Sequence, residues 1–194
     1  MSEDLVVRQC APTLANLKTG SLFVCPITER HAFYSSLRSL NGILVPKGLR
    51  VLPLRIRDHS ALIYLYRPSR LEKDLQDPAA RRILEAQGYP ARENCLPKLM
   101  ERVRQAPEFP HEIGLFLGYP PEDVQGFLEN RPCKCTGCWK VYGDVAQAKK
   151  TFAAYKKCQR VYCHQLAKGT DMNRLTVADP YTISWMKGRK MTYV

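Results

Sequence analysis

Val51-Leu52-Pro53-Leu54-Arg55-Ile56-Arg57-Asp58-His59-Ser60-Ala61-Leu62-Ile63-Tyr64-Leu65-Tyr66-Arg67 is the stretch on which the reading of the fold turns. Two runs rich in aliphatic and aromatic residues, Val51 to Arg57 and Ala61 to Arg67, flank the polar Asp58-His59-Ser60, which is the pattern of an antiparallel hairpin. Placing the turn at His59-Ser60 pairs Asp58 with Ala61, Arg57 with Leu62 and Arg55 with Tyr64. One face then carries Arg55, Arg57, Tyr64 and Tyr66, and the other carries Leu52, Leu54, Ile56, Ile63 and Leu65. Arginines beside tyrosines suit a base, a phosphate or a carboxylate, and they equally suit the solvated outer face of a sheet.

Upstream, Ser21 to Ile27 reads as a short buried strand. Thr28 is placed to cap a helix from Glu29 to about Leu40, with Asn41-Gly42 as its stop. Downstream, Ser69 and Glu72 fit a capping box with Leu71 and Leu75 on the buried side. Asp77-Pro78 starts a helix ending near Gly88, and Leu96-Pro97 starts one reaching about Ala106. Ile113 to Leu117 is a strand candidate, and Pro120 and Pro121 open a helix with Glu122 and Asp123 in its first turn. Trp139 to Tyr142 is the next strand, and Asp144 caps a long helix running to about Ala167 and stopped by Gly169.

Strands and helices interleave without a regular βαβ rhythm, so the class is α+β. The expected architecture is one domain over residues 1–169. It has a mixed sheet of four or five strands that includes the hairpin and residues 139–142, and helices packed on that sheet, the long one near the C-terminus. Residues 170–194 read as a basic C-terminal extension with a turn at Asp179-Pro180 and cations at Lys187, Arg189 and Lys190.

The chain of 194 residues has a formal net charge of +12, unevenly spread. Residues 1–70 carry 10 basic and 4 acidic side chains, residues 71–132 carry 8 and 11, and residues 133–194 carry 12 and 3. Excess charge at both ends suits an anionic partner, whether nucleic acid, a phosphorylated ligand or an acidic protein, and it also serves plain solubility. The acidic start Met1-Ser2-Glu3-Asp4 lacks the layout of a signal peptide. No apolar run approaches the ~20 residues of a membrane helix. The expected location is cytoplasmic, with no membrane partner. In that compartment eight cysteines read as buried thiols, metal ligands or redox groups rather than disulfides. The spacings of a Walker loop, of G-x-G-x-x-G, of G-x-S-x-G and of H-E-x-x-H are all missing, which leaves nucleotide-fold, serine hydrolase and zinc protease readings without support.

Chemistry concentrates in two segments, Phe109 to Val124 and Cys133 to Asp144. Cys133, Cys135 and Cys138 form C-x-C-x-x-C in a turn-rich loop, where thiolates can face one soft ion such as zinc or iron, or exchange electrons. Three ligands leave a closed tetrahedral site one short, and three reduced thiols in a surface turn is the plainer alternative. His111 and Glu112 are candidates for proton transfer, or alternatively a structural histidine and a turn-capping acid. Gly114 and Gly118 leave backbone uncovered beside an apolar run, so residues 111–123 are expected to wall a pocket. The carboxylates of Glu122 and Asp123 turn that pocket towards a neutral or metal-linked ligand. Lys18, in a turn with Thr19 and Gly20, joins Arg55, Arg57, Tyr64, Tyr66 and Arg67 as an anion-binding candidate. On the long helix, Lys149, Lys150, Lys156, Lys157, Arg160 and Lys168 fall within about 120° of arc. Cys158 and Cys163 lie about 140° apart on it, at the two edges of its apolar face.

Several blocks resemble a family from anaerobic Firmicutes catalogued as a domain of unknown function, DUF3793. They are Ala11 to Lys18, Tyr64-Leu65-Tyr66-Arg67, Gly88-Tyr89, Phe109 to Val124, Trp139 to Asp144, and Phe152 with Tyr155 and Cys158. The resemblance spans roughly residues 10–169 and brings no list of catalytic residues. It implies a link to metal or redox metabolism, with an acidic protein such as a flavodoxin as one partner, and it makes Cys158 a third catalytic candidate beside His111 and Glu112. The leading expectation is a metal- or thiol-dependent redox protein of iron or cofactor metabolism. The alternative is a basic binding module for nucleic acid or an acidic protein.

Overall fold

The hairpin of residues 51–67 forms, and a third strand completes it. The computed structural model describes residues 1–90, 95–106 and 108–180. In chain order its elements are α1 (Glu3–Leu14), β1 (Gly20–Pro26), α2 (Arg30–Leu44), β2 (Arg50–Ile56), β3 (Ser60–Tyr66), α3 (Pro68–Leu75), α4 (Pro78–Ala86), α5 (Leu96–Gln105), α6 (Ile113–Phe116), α7 (Pro121–Leu128), β4 (Cys135–Thr136), β5 (Lys140–Val141), α8 (Val145–Ala167) and α9 (Met172–Leu175). The class is α+β. The sheet has the order β1-β3-β2 with both pairings antiparallel, and β4 and β5 make a separate antiparallel ribbon. This corrects the expected mixed sheet of four or five strands: one sheet has three strands and the other two.

Two misread segments account for the difference. Ile113–Phe116 is a single helical turn, not a strand. A five-residue apolar run carries no periodicity that separates the two. Here Gly114 decides, because a Cβ on it would lie 2.8 Å from Val124 Cγ2 and 3.1 Å from the Tyr119 ring, so the turn is tucked against α7. The strand at residues 139–142 shrinks to Lys140–Val141 and, among the described residues, pairs only with β4.

The chain divides into two compact units. Residues 1–69 and 158–180 make the first, built on the sheet. Ala61, Ile63 and Leu65 alternate along one face of β3 and meet Phe23, Cys25 and Val51 of the neighbouring strands. Helical spacing puts Val6, Val7, Cys10 and Leu14 of α1, and Phe33, Leu37, Leu40 and Leu44 of α2, into the same core. The sequence reading left out α1, which starts at Ser2, whose hydroxyl accepts from Leu5 N, with Glu3 and Asp4 in its first turn. The helix α2 is capped by Glu29 rather than Thr28 and runs through Asn41-Gly42. Asn41 does not stop it because its carboxamide is used sideways: it donates to Val51 O at 3.0 Å and accepts from Val51 N at 2.9 Å, closing the outer edge of β2.

The hairpin register also shifts. A bulge between Pro53 and Arg55 leaves Leu52 opposite Tyr64 and Arg55 opposite Leu62. Arg57 N bonds Ser60 O, so the turn is Asp58-His59. Tyr64 and Tyr66 stack at 4.7 Å and are buried, as is Arg67. The expected solvent face of arginines and tyrosines therefore does not exist.

Arg67 is a structural clasp. Its Nε donates to Thr13 O at 2.8 Å, and its Nη2 donates to Leu14 O at 2.9 Å and Val177 O at 2.7 Å, collecting carbonyls at the end of α1. Ser69 lies inside α3, which starts at Pro68, so the capping box is also corrected; its hydroxyl donates to Asp179. Val177 N bonds Leu14 O, Lys47 Nζ donates to Thr176 O at 3.0 Å, and Met172 is fully buried in the sheet core. Residues 170–180 thus pack into the first unit. The cations Lys187, Arg189 and Lys190 lie outside the described residues.

Residues 70–157 make the second unit, from most of α3 through the first half of α8. Both ends of α4 and α8 and the start of α7 fall near where the sequence puts them. Asp77 caps α4 through Ala79 N and Ala80 N, Asp144 accepts from Gln147 N at the start of α8, and Gly88 and Gly169 follow their helices with φ of 78° and 87°.

Candidate functional site

The two segments dense in chemistry, 109–124 and 133–144, meet in the second unit, and Asp123 joins them. Pro120 and Pro121 start α7 without a side-chain cap, leaving the acids of its first turn available for other partners. Asp123, 3% exposed, turns one oxygen to Trp139, whose Nε1 donates at 2.7 Å. Its other oxygen accepts the Tyr142 and Gly143 amides at 2.7 and 2.8 Å. Glu122 accepts from Asp144 N at 3.3 Å, and a Cβ on Gly143 would collide with that carboxylate. Lys134 closes the ribbon from its own side, donating from Nζ to Gly143 O at 2.9 Å.

The indole held in this way organises aromatic rings. Trp139 stacks on Tyr119 at 4.8 Å and meets Phe152 in a T-shaped contact at 4.5 Å. Burial pushes the Tyr119 hydroxyl up to about 12, and it donates to Cys138 O at 3.4 Å. Between α6, α7 and the ribbon lies a cavity of about 220 Å³. Phe109, Tyr119, Phe127 and Trp139 supply its rings, Ile113, Gly114 and Val124 its floor, and His111, Asp123, Cys138 and Lys140 its polar or sulfur groups. His111 is exposed at the mouth and packs on Phe127 at 4.7 Å, with Lys140 Nζ 5.1 Å from the centre of that same ring.

The predicted site residues are dispersed around this arrangement. Residues 111–123 do wall a concavity, but His111 and Glu112 part company. Glu112 is 1% exposed and does not line the cavity. It accepts from Arg102 Nε at 2.6 Å and from the Tyr89 hydroxyl at 2.8 Å, while Arg102 also donates to Gln87 O and Oε1 at 3.3 and 3.2 Å. Burial, then the Glu112 charge, pushes the Tyr89 phenol far up. This is a buried lock holding the turn after α5.

Cys158 belongs to the first unit, is buried, and has its thiol pushed up to about 11 by desolvation. That environment favours the protonated thiol over the thiolate. Cys133 and Cys138 are exposed and Cys135 is half-buried on β4. Among the described residues, no three His, Cys, Asp or Glu side chains are arranged to hold one metal ion. The three thiols share a ribbon without converging. Of them, only Cys138 lines the cavity. Lys18 is half-buried in the loop after α1, Arg55 is half-buried and Arg57 exposed, so the six anion-binding candidates do not share a solvent face.

Sequence reading missed Asp123 as the organiser and, outside residues 111–123, Phe109, Phe127, Trp139 and Lys140 as walls. An acid in a first helical turn is explained locally by the helix dipole, so nothing in its spacing pointed 16 residues ahead to the indole. The aromatic count of the two segments was the available signal.

The chain belongs to the family described as protein of unknown function (DUF3793), whose model matches residues 6–176. No curated protein and no solved structure matches it. Among the described residues, no helix is long and apolar enough to cross a membrane.

Proposed function

We propose that residues 70–157 form a receptor for a small, planar, largely apolar ligand, taken into the slot between α6, α7 and the β4–β5 ribbon. The cavity of about 220 Å³ walled by four aromatic side chains carries the reading. Flat rings favour a flat guest by stacking and edge contacts, and a mostly apolar lining with a few polar groups at one side is the general chemistry of small-molecule sites. Asp123 already accepts from three donors, so it shapes the wall and does not react. His111 and Lys140 are the polar groups left to address a ligand, and both suit an acceptor edge or an acidic substituent.

Thiol chemistry at the same slot is the second reading, and Cys138 supports it by lining the cavity while exposed to reagent. One experiment addresses both. With Trp185→Phe, Trp139 becomes the single tryptophan of the chain, which has two. Planar heteroaromatic acids should then quench or shift its emission saturably, and should slow alkylation of Cys138. Cys138→Phe, which fills the mouth, should abolish the binding, whereas Cys133→Phe, outside the lining, should not. Absence of any saturable binder, or binding indifferent to Cys138→Phe, overturns the proposal. Binding without protection of Cys138 removes the thiol reading alone.

A further inference from the structure

The helix α8 presents a face that the ligand slot does not use. Its 23 residues contain Lys149, Lys150, Lys156, Lys157 and Arg160 and not one acid, and Lys168 follows directly. All six side chains are exposed, as are Ala146, Ala153 and His164. At ~100° per residue the cations resolve into two rows. Lys149, Lys156 and Arg160 lie within about 40° of each other, and Lys150, Lys157 and Lys168 lie within about 20°, roughly a quarter-turn round. Ala146, Ala153 and His164 occupy the strip between them. From Lys149 to Lys168 the face extends about 28 Å.

We infer that this face docks on the backbone of a double-stranded nucleic acid, without reading its sequence. A helix of ordinary width enters a duplex groove about 12 Å across. Small residues along the leading edge let it approach closely, and a row of cations on each flank then meets phosphates on both walls. The same strip disfavours other anions. A stable protein interface needs aromatic or large apolar anchors at its centre, and here the centre is alanine and histidine. Single strands are held by stacking bases on aromatic side chains, and none stands in the strip. Val161, 46% exposed, lies about 60° outside it, beyond the Lys150 row.

The test is fluorescence anisotropy of the full chain with a generic duplex of roughly two helical turns, as DNA and as RNA. Phosphate binding releases counterions, and the affinity exponent falls by about 0.9 per neutralised phosphate. Engagement of all six cations therefore gives a slope near −5 and roughly a thousandfold loss between about 50 and 200 mM salt. The variant Lys149→Gln/Lys156→Gln/Arg160→Gln removes one row, and should lower the slope to about −3 and the loss to about fortyfold. Because that variant keeps residues 181–194, the change reports on α8 and not on the basic end of the chain. The duplex should also protect Lys149, Lys150, Lys156 and Lys157 of the unaltered protein from acetylation, a readout independent of how the variant folds. No binding at low salt, a slope unchanged in the triple variant, or unprotected lysines overturns the inference. So does competition by a single strand or by polyglutamate at least as strong as that by duplex; polyglutamate winning would identify an acidic protein surface as the partner class.

Discussion

Replacing Asp123 by asparagine changes almost no volume and tests the organisation of the whole slot. The carboxylate accepts Trp139 Nε1–H on one oxygen at 2.7 Å and two backbone amides, of Tyr142 and Gly143, on the other at 2.7 and 2.8 Å. Asparagine can keep its oxygen on the amides, but its NH2 then faces the indole N–H, donor against donor. The flipped amide is worse, meeting two donors instead of one. A bond to a charged acceptor contributes about 1.5–3 kcal/mol, so one lost and two weakened amount to about 2–4 kcal/mol. The ribbon has two residues per strand and depends on such outside ties. Because the chain has two compact units, a global melting point would mix their transitions. Native-state hydrogen exchange at the Tyr142 and Gly143 amides reads the local opening instead, and Asp123→Asn should accelerate it roughly thirty- to a thousandfold. Emission of Trp139 should shift towards that of a solvated indole. Acceleration below about threefold with unchanged emission would refute Asp123 as the organiser.

Three further outcomes follow from geometry. Glu112→Ala takes the acceptor from the buried Tyr89 phenol and the counter-charge from Arg102, which keeps Gln87, and should cost about 1–3 kcal/mol in urea unfolding of the second unit, with Glu112→Gln milder; a loss under about 0.5 kcal/mol would contradict the lock. Gly114→Ala forces a methyl against Val124 and Tyr119 and should cost about 1–3 kcal/mol by the same measurement, and a neutral result would mean that α6 can move away. Burial raises the Cys10 thiol from its ordinary 9.0 to about 12, so the stability it contributes is whole below pH 9 and is lost as pH rises towards 12, because the unfolded chain releases a proton that the folded one keeps. Denaturation midpoints for the first unit should therefore fall steadily above pH 9, less so in Cys10→Ala; a flat profile to pH 11 would argue against the burial of Cys10.

What the sequence made legible was local. Helix ends carry their own chemistry in Asp77, Asp144, Gly88 and Gly169, and the hairpin carries its alternation, so these emerged with their ends nearly in place. Register did not, because a bulge at Leu54 is a response to burial across the sheet and leaves no mark in the composition of the strand. Arg67 looked like an anion receptor for the same reason. Its three carbonyl partners come from residues 13, 14 and 177, and only the folded chain assembles them. Gly114 was read as uncovered backbone in a strand, whereas it lies in a helical turn with Val124 and Tyr119 packed against it, since an apolar pentapeptide satisfies either geometry. The pocket wall was visible because unusual residue types crowded into one segment. Its opposite wall was visible only as a cysteine cluster, and the residues beside those cysteines, Trp139 and Lys140, turned out to matter to the slot.

The dependence of the ribbon on Asp123 has a consequence for the proposed ligand. Trp139 and Lys140 belong to the ribbon while His111, Val124 and Phe127 stand on or beside α6 and α7, so a guest in the slot touches both sides of the joint that Asp123 closes. Anything that binds only the closed joint must stabilise it by mass action, by about 2.7 kcal/mol at a hundred times its dissociation constant. Exchange of the Tyr142 and Gly143 amides should then slow about a hundredfold at that concentration, while amides of the first-unit sheet such as Leu65 keep their rates. Coupling is reciprocal, so in Asp123→Asn the ligand should bind more weakly wherever the joint is open for a measurable fraction of the time. Ligand that saturates Trp139 emission yet leaves both ribbon amides exchanging at their original rates would place the guest outside the slot, and would separate the aromatic wall from the function proposed for it.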